Sequence, residues 1–381
     1  MPTDDIYRKL QKEIDRFPIP YPETVSKVEI KLLKLLFTPQ EAEIAVHLSI
    51  LPESIERITR RLNRNGIKLQ VNEAKTILDS LVDKGAILGK GFYETHGKGT
   101  YFSLSPFVIG FFENQVDIIT RDFAENAERL LETGFYKDLF GDKKAQMRTI
   151  PISEAVSPDI AVEPYDTIRP YVKQFKDQIA VINCVCEQAQ RVQDVLCTKT
   201  ELMERCLLFG DSARFVLSRG LGREITNEEA LKTLDKAENE NLVLQPQNSQ
   251  NPGFICCCCP ECCGVLKALR LNDNPGDLVQ SNYFAELNVD NCTECGDCQE
   301  ICPMDAIQAG EDGLVVNNQS CIGCGLCISN CPTETITLKK RPTIKKPYKN
   351  STLMYRDFMF NRFGVLPTVK NYLKYLMGGK F

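Results

Sequence analysis

The sequence predicts an α+β, multidomain protein of 381 residues. Three observations carry this. Amphipathic helical patterns followed by two short apolar runs fill the first third. All 18 cysteines fall between Cys184 and Cys331. Beyond Lys340 the composition turns basic and aromatic. The expected parts are an N-terminal domain (1–145), a cysteine-rich α/β middle domain (146–280), a small domain around two four-cysteine runs (281–340) and a basic tail (341–381).

The net charge of −5 is ordinary and does not by itself point to nucleic acid. Residues 1–17 are charged and amphipathic, without the apolar core of a secretory signal. No run approaches the ~20 apolar residues of a membrane span. The cysteines are clustered at metal-ligand spacing rather than spread as a disulfide framework. A cytoplasmic, oxygen-averse protein with reduced, metal-binding thiols is expected. His47 and His96 are the two histidines. Both lie far from any cysteine in sequence, so thiolate ligation must dominate.

In the N-terminal domain Ser26 to Phe37 has helical spacing, and Pro39 suits the first turn of a helix running to about Ile50. Pro52 opens a third, with Ile55, Ile58 and Leu62 on one face. Asn72 is placed as the cap of a fourth, with Ala74, Leu78, Leu81 and Val82 along its stripe. Ala86 to Thr95 and Thr100 to Leu104 make a hairpin around His96-Gly97-Lys98-Gly99. This order is winged-helix-like. A single helix is expected from Asn114 to Glu132. The recognition-position helix offers Glu73, Lys75, Asp79, Asp83 and Lys84 outside its stripe, an acidic balance that disfavours phosphate contacts. The preceding helix, with Arg57, Arg60, Arg61 and Arg64, is basic.

Lys143 to Pro164 looks like a Pro-punctuated linker. In the middle domain a helix over Thr167 to Lys176 precedes a strand, Ile179 to Ile182, that delivers Cys184-Val185-Cys186. Cys197 follows, then Cys206, placed on a helix. Thr226-Asn227-Glu228-Glu229 is a capping box. Cys256 to Cys263 holds six cysteines in eight positions. Cys184, Cys186, Cys197 and Cys206 suffice for one cluster. In an extended chain Cys256 and Cys258 face one side, and Cys257 and Cys259 the other. Candidate ligands in this domain are Cys184, Cys186, Cys197, Cys206, Cys256, Cys258, Cys259, Cys262 and Cys263. They give one or two additional [4Fe-4S] clusters, with zinc and redox-active thiols as alternatives.

Cys292-x-x-Cys295-x-x-Cys298-x-x-x-Cys302-Pro303 repeats as Cys321-x-x-Cys324-x-x-Cys327-x-x-x-Cys331-Pro332. This is the ligand pattern of a bacterial two-[4Fe-4S] ferredoxin-like domain. Three cysteines on a tight loop reach three iron corners of one cube, and the fourth ligates the other cube. One cluster therefore takes Cys292, Cys295, Cys298 and Cys331, and the second takes Cys321, Cys324, Cys327 and Cys302. Gly296, Gly323 and Gly325 allow positive φ in the loops. Glu294, Asp297 and Glu300 surround the first run, and Ile322, Leu326 and Ile328 the second, so the first should face the surface at a lower potential. Ala285 to Val289 should pair with Thr335 to Leu338, and Leu314 to Val316 should form a central hairpin. Short helical turns are expected after Cys302 and Cys331.

The whole chain resembles anaerobe proteins known as 4Fe-4S dicluster ferredoxin-domain proteins with an N-terminal winged-helix-like region. The resemblance is carried by Arg148-Thr149-Ile150-Pro151, Pro164-Tyr165, Cys184-Val185-Cys186, Glu204-Arg205-Cys206 and Phe209-Gly210. It continues through Gly220-Leu221-Gly222-Arg223-Glu224-Ile225, Asn248-Ser249-Gln250, Phe254-Ile255-Cys256, Cys262-Cys263-Gly264 and Ser281-Asn282-Tyr283. Such proteins usually have Arg where this chain has Glu187, a polar residue in place of Cys257 and a cysteine in place of Glu261.

The expected function is single-electron relay through two [4Fe-4S] clusters, extended by any cluster in the middle domain, to or from a partner oxidoreductase. The alternatives are a redox-responsive winged-helix transcription regulator and a reductase with an open-site cluster in the middle domain. No acid–base histidine, P-loop or dinucleotide fingerprint is present; Gly220-x-Gly222 lacks the third glycine. Expected partners are a redox protein and, through the tail, an acidic partner surface or a membrane surface; a wrap of the tail over the protein's own body is the alternative, and homo-oligomers are compatible with the sequence. Nucleic acid is not expected.

Overall fold

The structure is a computed structural model and describes residues 3–89, 99–141, 145–157, 162–311 and 313–381. It is a mixed helix and sheet protein whose buried apolar residues form one continuous cluster from Tyr7 to Phe358.

The N-terminal part packs helices Thr3–Ile14, Val28–Leu36, Pro39–Ala45, Ile55–Arg64 and Val71–Asp83 around a small antiparallel sheet. Strand Tyr101–Leu104 lies between Glu53–Ser54 and Ile87–Leu88. The helix at Pro39 stops at Ala45, short of Ile50. Its start is a capping box: Thr38 Oγ1 accepts from Glu41 N, and Glu41 accepts from Thr38 N. The cap of Val71–Asp83 is Gln70, not Asn72, because Glu73 reaches back to the Gln70 N–H (2.7 Å). The expected hairpin tip, with His96, lies outside the described residues.

The single helix expected from Asn114 to Glu132 is broken. Asp117 takes a left-handed φ of 62°, and Thr120 caps a new helix, Arg121–Leu130. The break frees the Asp117 N–H for Gln188 Oε1 (2.8 Å) and its carboxylate for Asn183 (2.8 Å). It thereby fastens the N-terminal part to the middle sheet.

That sheet is antiparallel throughout, with spatial order Arg223–Ile225, Ile179–Asn183, Glu204–Phe209, Phe254–Cys258, Val243–Pro246. Thr226 opens helix Asn227–Asn239 with the expected capping box. Cys206 sits on a strand, not on a helix. Alternation explains this: Arg205, Leu207 and Phe209 are buried on one face, and Glu204, Cys206 and Leu208 are less buried on the other.

The expected linker is not loose where it is described. Residues 145–152 are all buried and run along the Val243–Pro246 strand, with Arg148 N donating to Pro246 O (3.0 Å) and Ile150 N to Leu244 O (3.2 Å). Of the three prolines that punctuate it, Pro151, Pro158 and Pro164, Pro158 lies outside the described residues. Pro151 follows the last paired residue, an edge position where its missing N–H costs no ladder bond.

In the ferredoxin-like part Tyr283–Leu287 pairs with Ile336–Lys340, and Ile307–Gly310 with Gly313–Val316; Asp312 lies outside the described residues. The short helices Asp297–Glu300 and Leu326–Ser329 come before Cys302 and Cys331, not after them. Each begins behind a left-handed glycine, Gly296 or Gly325.

The tail forms helices Ser351–Phe363 and Val365–Leu376 and folds back over the protein's own body. Arg362 binds Asp15 (2.9 Å) and Lys380 binds Glu13 (2.5 Å). Arg57 lies 4.4 Å over the Tyr375 ring and donates to Gly379 O (2.8 Å). The last helix turns Leu366, Val369, Leu373 and Leu376 outward.

Arg57 also pairs with Glu53 (2.8 Å), whose side chain is fully buried. Arg57→Ala should lower stability in urea titration by on the order of 2 kcal/mol, since the buried carboxylate loses a charged donor. It should also speed proteolysis of the terminal helix.

Candidate metal centres

The two ferredoxin loops deliver their thiols to two places. Cys298 has Cys331, Cys292 and Cys295 as its charged neighbours. Cys302 neighbours Cys321, Cys324 neighbours Cys302 and Cys321, and Cys327 neighbours all three and, more weakly, Cys298. Backbone N–H groups point at the sulfurs: Glu294 N to Cys292 Sγ (3.4 Å), Ala306 N to Cys302 Sγ (3.2 Å) and Ala285 N to Cys321 Sγ (3.4 Å). Such donors favour a charged thiolate or cluster. Cys302, Cys321, Cys324 and Cys327 also line a common cavity. The donor set and its N–H groups fit iron–sulfur clusters.

The two places differ in exposure. Cys295 is exposed and Cys292 and Cys331 half-buried, whereas Cys321, Cys324 and Cys327 are buried. Burial raises the Cys324 and Cys327 thiols. At Cys331 burial also pushes upward, but hydrogen bonds from Thr335 and Thr333 outweigh it and bring the group down to about 7.

Gly323 shows how tightly the second loop is set. Its φ is +66°, and an added Cβ would lie 2.3 Å from Tyr283 O and 2.5 Å from Ser281 Oγ. Its counterpart in the first loop is Glu294, also left-handed (φ 55°), and Gly296 in that loop has open space around it.

The middle domain assembles six thiols in a closed ring of neighbours. Cys184 contacts Cys186 and Cys206, Cys206 contacts Cys256, Cys256 contacts Cys258, Cys258 contacts Cys263, and Cys263 contacts Cys186. Three features build it. The Ile179–Asn183 strand ends in Cys184 at the start of helix Val185–Arg191, which carries Cys186. Cys206 and Cys256 are cross-strand partners. Cys263 opens helix Gly264–Arg270. Hydrogen bonds from the neighbouring thiols hold Cys184 and Cys263 well below the ordinary thiol range and Cys256 at about 6, while the same bonds hold Cys186, Cys206 and Cys258 up.

Beside the ring lies Arg205, its side chain fully buried and paired with the equally buried Glu187. Its Nε and Nη2 have no hydrogen-bond partner. Burial works against the guanidinium charge, but the neighbouring Cys184 thiolate and the Glu187 carboxylate raise its affinity for its proton. Two unpartnered N–H groups and a buried cation beside six thiols fit an anionic metal–sulfur group there. Neither Arg205 nor Glu187 had been singled out as a site residue. The signal available was the alternation around Cys206, which turns Arg205 into the core.

Cys197 does not join Cys184, Cys186 and Cys206. It stands against Cys259 (Sγ–Sγ 3.4 Å) and Cys262, the three sulfurs lying within 4.8 Å of one another. Cys257 belongs to neither group. It is buried on the opposite face of its strand, and burial raises its thiol.

An apolar cavity of about 80 Å³ adjoins both groups. Phe107, Phe112, Leu131 and Phe135 line it, together with Cys186, Cys262 and Glu113. Burial raises the Glu113 carboxyl to about 8, with Cys256 and Cys263 adding to the effect and the Gly110 N–H (2.6 Å) opposing it.

A family model described as 4Fe-4S dicluster domain matches residues 285–338. No curated protein and no solved structure matches the chain. The ferredoxin-type part thus carries [4Fe-4S] chemistry, and the matched domain together with the many cysteines points to iron–sulfur electron transfer.

Gly323→Ala should remove roughly four irons per chain in metal analysis, one cluster's worth. Gly296→Asn, open-sided and able to take a left-handed φ, should keep them. For Glu113 the folded value lies above the 4.5 of a free carboxyl. Its contribution is therefore fully present below pH 4.5 and lost as pH rises through about 8. The stability of wild type relative to Glu113→Gln, from denaturation at each pH, should fall steadily across that interval; a flat difference would remove the assignment.

Proposed function

We propose that this chain is an electron relay in which a metal–sulfur cluster on the six-thiol ring exchanges electrons with two [4Fe-4S] clusters. One of those is held by Cys321, Cys324, Cys327 and Cys302, the other by Cys292, Cys295, Cys298 and Cys331. The observation that carries the reading is helix Gly264–Arg270. It starts at ring residue Cys263 and ends with Arg270 Nε donating to Pro303 O (2.6 Å), next to Cys302. Seven residues of helix span only about 10 Å. Ile152 supports the same junction, donating to Cys324 O (3.0 Å) from the segment that lines the middle sheet. A partner oxidoreductase docks at the exposed Cys295 end. The reduced thiols fit a cytoplasmic setting.

The helix–sheet order of residues 28–104 supports a winged-helix-like fold, used here as a packing module. Two of the four arginines of its basic helix are engaged: Arg57 and Arg61 hold Glu53, and Arg57 also holds the tail, while Arg60 and Arg64 are exposed. Lys84 is paired with Glu41. These contacts speak against the transcription-regulator alternative, and no retardation of random DNA at low salt is expected. Among the described residues no helix is long and apolar enough to cross a membrane. The outward apolar stripe of the terminal helix, with Lys370 and Lys374 beside it, is where a membrane-surface contact would form.

A second reading, a reductase, is favoured by the apolar cavity between Cys186, Cys262 and Glu113. A carboxyl that keeps its proton near pH 7 could supply it to a reduced substrate.

Anaerobically purified protein should contain clearly more than the roughly eight irons of two cubanes. Cys256→Ala or Cys263→Ala should bring it back to about eight, leaving two cluster EPR signals. Eight irons in the wild type, with ring thiols freely alkylated, would falsify the relay as drawn.

A further inference from the structure

We infer that Cys197, Cys259 and Cys262 form a separate site for one divalent metal ion of the zinc class, with its fourth position left to an exogenous ligand. The run of cysteines from 256 to 263 is divided between two destinations. Cys256, Cys258 and Cys263 join the ring, while Cys259 and Cys262 turn away to meet Cys197.

Spacing separates the two destinations chemically. Metal–sulfur bonds of about 2.3 Å in a tetrahedral arrangement put thiolates on one ion roughly 3.8 Å apart. The three sulfurs here lie within 4.8 Å of each other, Cys197 and Cys259 at 3.4 Å. Among the described residues no other set of three His, Cys, Asp or Glu ligands is so close, the ring and both ferredoxin groups included. A cubane distributes its thiolates over four irons and so needs the wider spacing of those groups. Cys259-Pro260-Glu261-Cys262 is also the two-residue spacing of a zinc knuckle.

The site is held from both sides. Cys262 N donates to Cys259 O (3.3 Å) and Cys263 N to the same oxygen (2.9 Å), which sets the turn. Glu261 accepts from Thr198 N (2.8 Å) and Thr198 Oγ1 (2.6 Å), which brings the Cys197 loop to it. Glu261 thereby acts as the orienting group behind a ligand rather than as the fourth ligand. No carboxylate or imidazole among the described residues joins the three sulfurs within 4.8 Å. Three thiolates and an unfilled corner is the pattern of an ion that keeps a water or takes a ligand. A bound ion would also tie the exposed loop around Val195 and Leu196 to the turn that leads into Cys263 and the ring.

The test uses the full chain, loaded with cobalt(II) in place of zinc. One Co per chain is expected, with the thiolate-to-metal charge transfer and visible bands of a tetrahedral three-sulfur site. X-ray absorption of the zinc form should show three sulfurs, one light atom and no neighbouring metal. Cys197→Ser and Cys262→Ser should abolish this ion and leave iron and sulfide unchanged. Cys257→Ala should keep the ion. A fall of iron and sulfide together in Cys197→Ser would assign the three thiols to a cluster and overturn the proposal. So would a metal-free native protein with a Cys197–Cys259 disulfide in its mass spectrum. None of these outcomes depends on the relay, whose iron is counted separately.

Discussion

The buried pair of Arg205 and Glu187 is the constraint around which the middle domain is arranged. Both side chains are fully out of solvent. Isolated burial of either charge would be costly, and pairing offsets only part of that. The remainder is met from two sides. Arg191 donates two more bonds to Glu187 at 2.7 and 2.9 Å, and the thiolate character of the ring gives Arg205 a second counter-charge. The pair also joins the helix carrying Cys186 to the strand carrying Cys206. The ion pair thus fixes the relative position of two ring thiols.

Once that pair is set, the neighbouring strand sorts the remaining sulfurs. Cys256 lies opposite Cys206 in register. Successive side chains on Phe254–Cys258 face opposite ways, so Cys256 and Cys258 reach the ring while Cys257 enters the apolar layer beneath. After the strand ends, the turn at residues 259–263 sends Cys259 and Cys262 to Cys197 and returns Cys263 to the ring. The same element then becomes the helix that touches Pro303. A single stretch of chain therefore serves both thiol groups of the middle domain and the junction with the second ferredoxin loop. The junction is reinforced from the other side, where Arg148 pairs with Asp166, and Asp166 accepts from Asn282 Nδ2 (2.9 Å).

The ferredoxin-like part was legible because its information is local. Spacing of three and four residues, a closing proline and glycines at turn positions specify loops without reference to the rest of the chain. The outer pair expected at Ala285 to Val289 and Thr335 to Leu338 is found with shifted ends, as Tyr283–Leu287 with Ile336–Lys340. The middle thiols were legible as candidate ligands but not as groups. Whether Cys197 stands with Cys184 or with Cys259 depends on how a loop crosses a sheet, which no local spacing encodes. Cys206 was assigned to a helix because its flanking apolar residues suit either period over so short a run. Within Lys143 to Pro164, the sequence reads residues 145–152 as linker because proline is equally at home in a loop and at a sheet edge. The Asn114 to Glu132 stretch kept helical periodicity across a break made by Asp117, whose side chain and N–H find better partners in the middle domain than in a helix.

The distribution of charge along the proposed relay bears on where an electron rests. Glu294 and Asp297 belong to the exposed first loop, and a nearby carboxylate opposes the added negative charge of a reduced cluster. The second loop has apolar neighbours and buried thiols, with N–H donors on Cys321 and Cys302. Near the ring stands the buried Arg205 guanidinium, whose Nε and Nη2 have no hydrogen-bond partner. Burial alone disfavours reduction at the inner sites, because a low dielectric penalises net charge. A buried cation acts through that same low dielectric and is therefore felt most strongly where Arg205 stands. The outer carboxylates, by contrast, act largely through water and are screened by salt. On the relay reading, Arg205 is the charge that favours an electron at the ring, and the outer carboxylates oppose one at the Cys295 end.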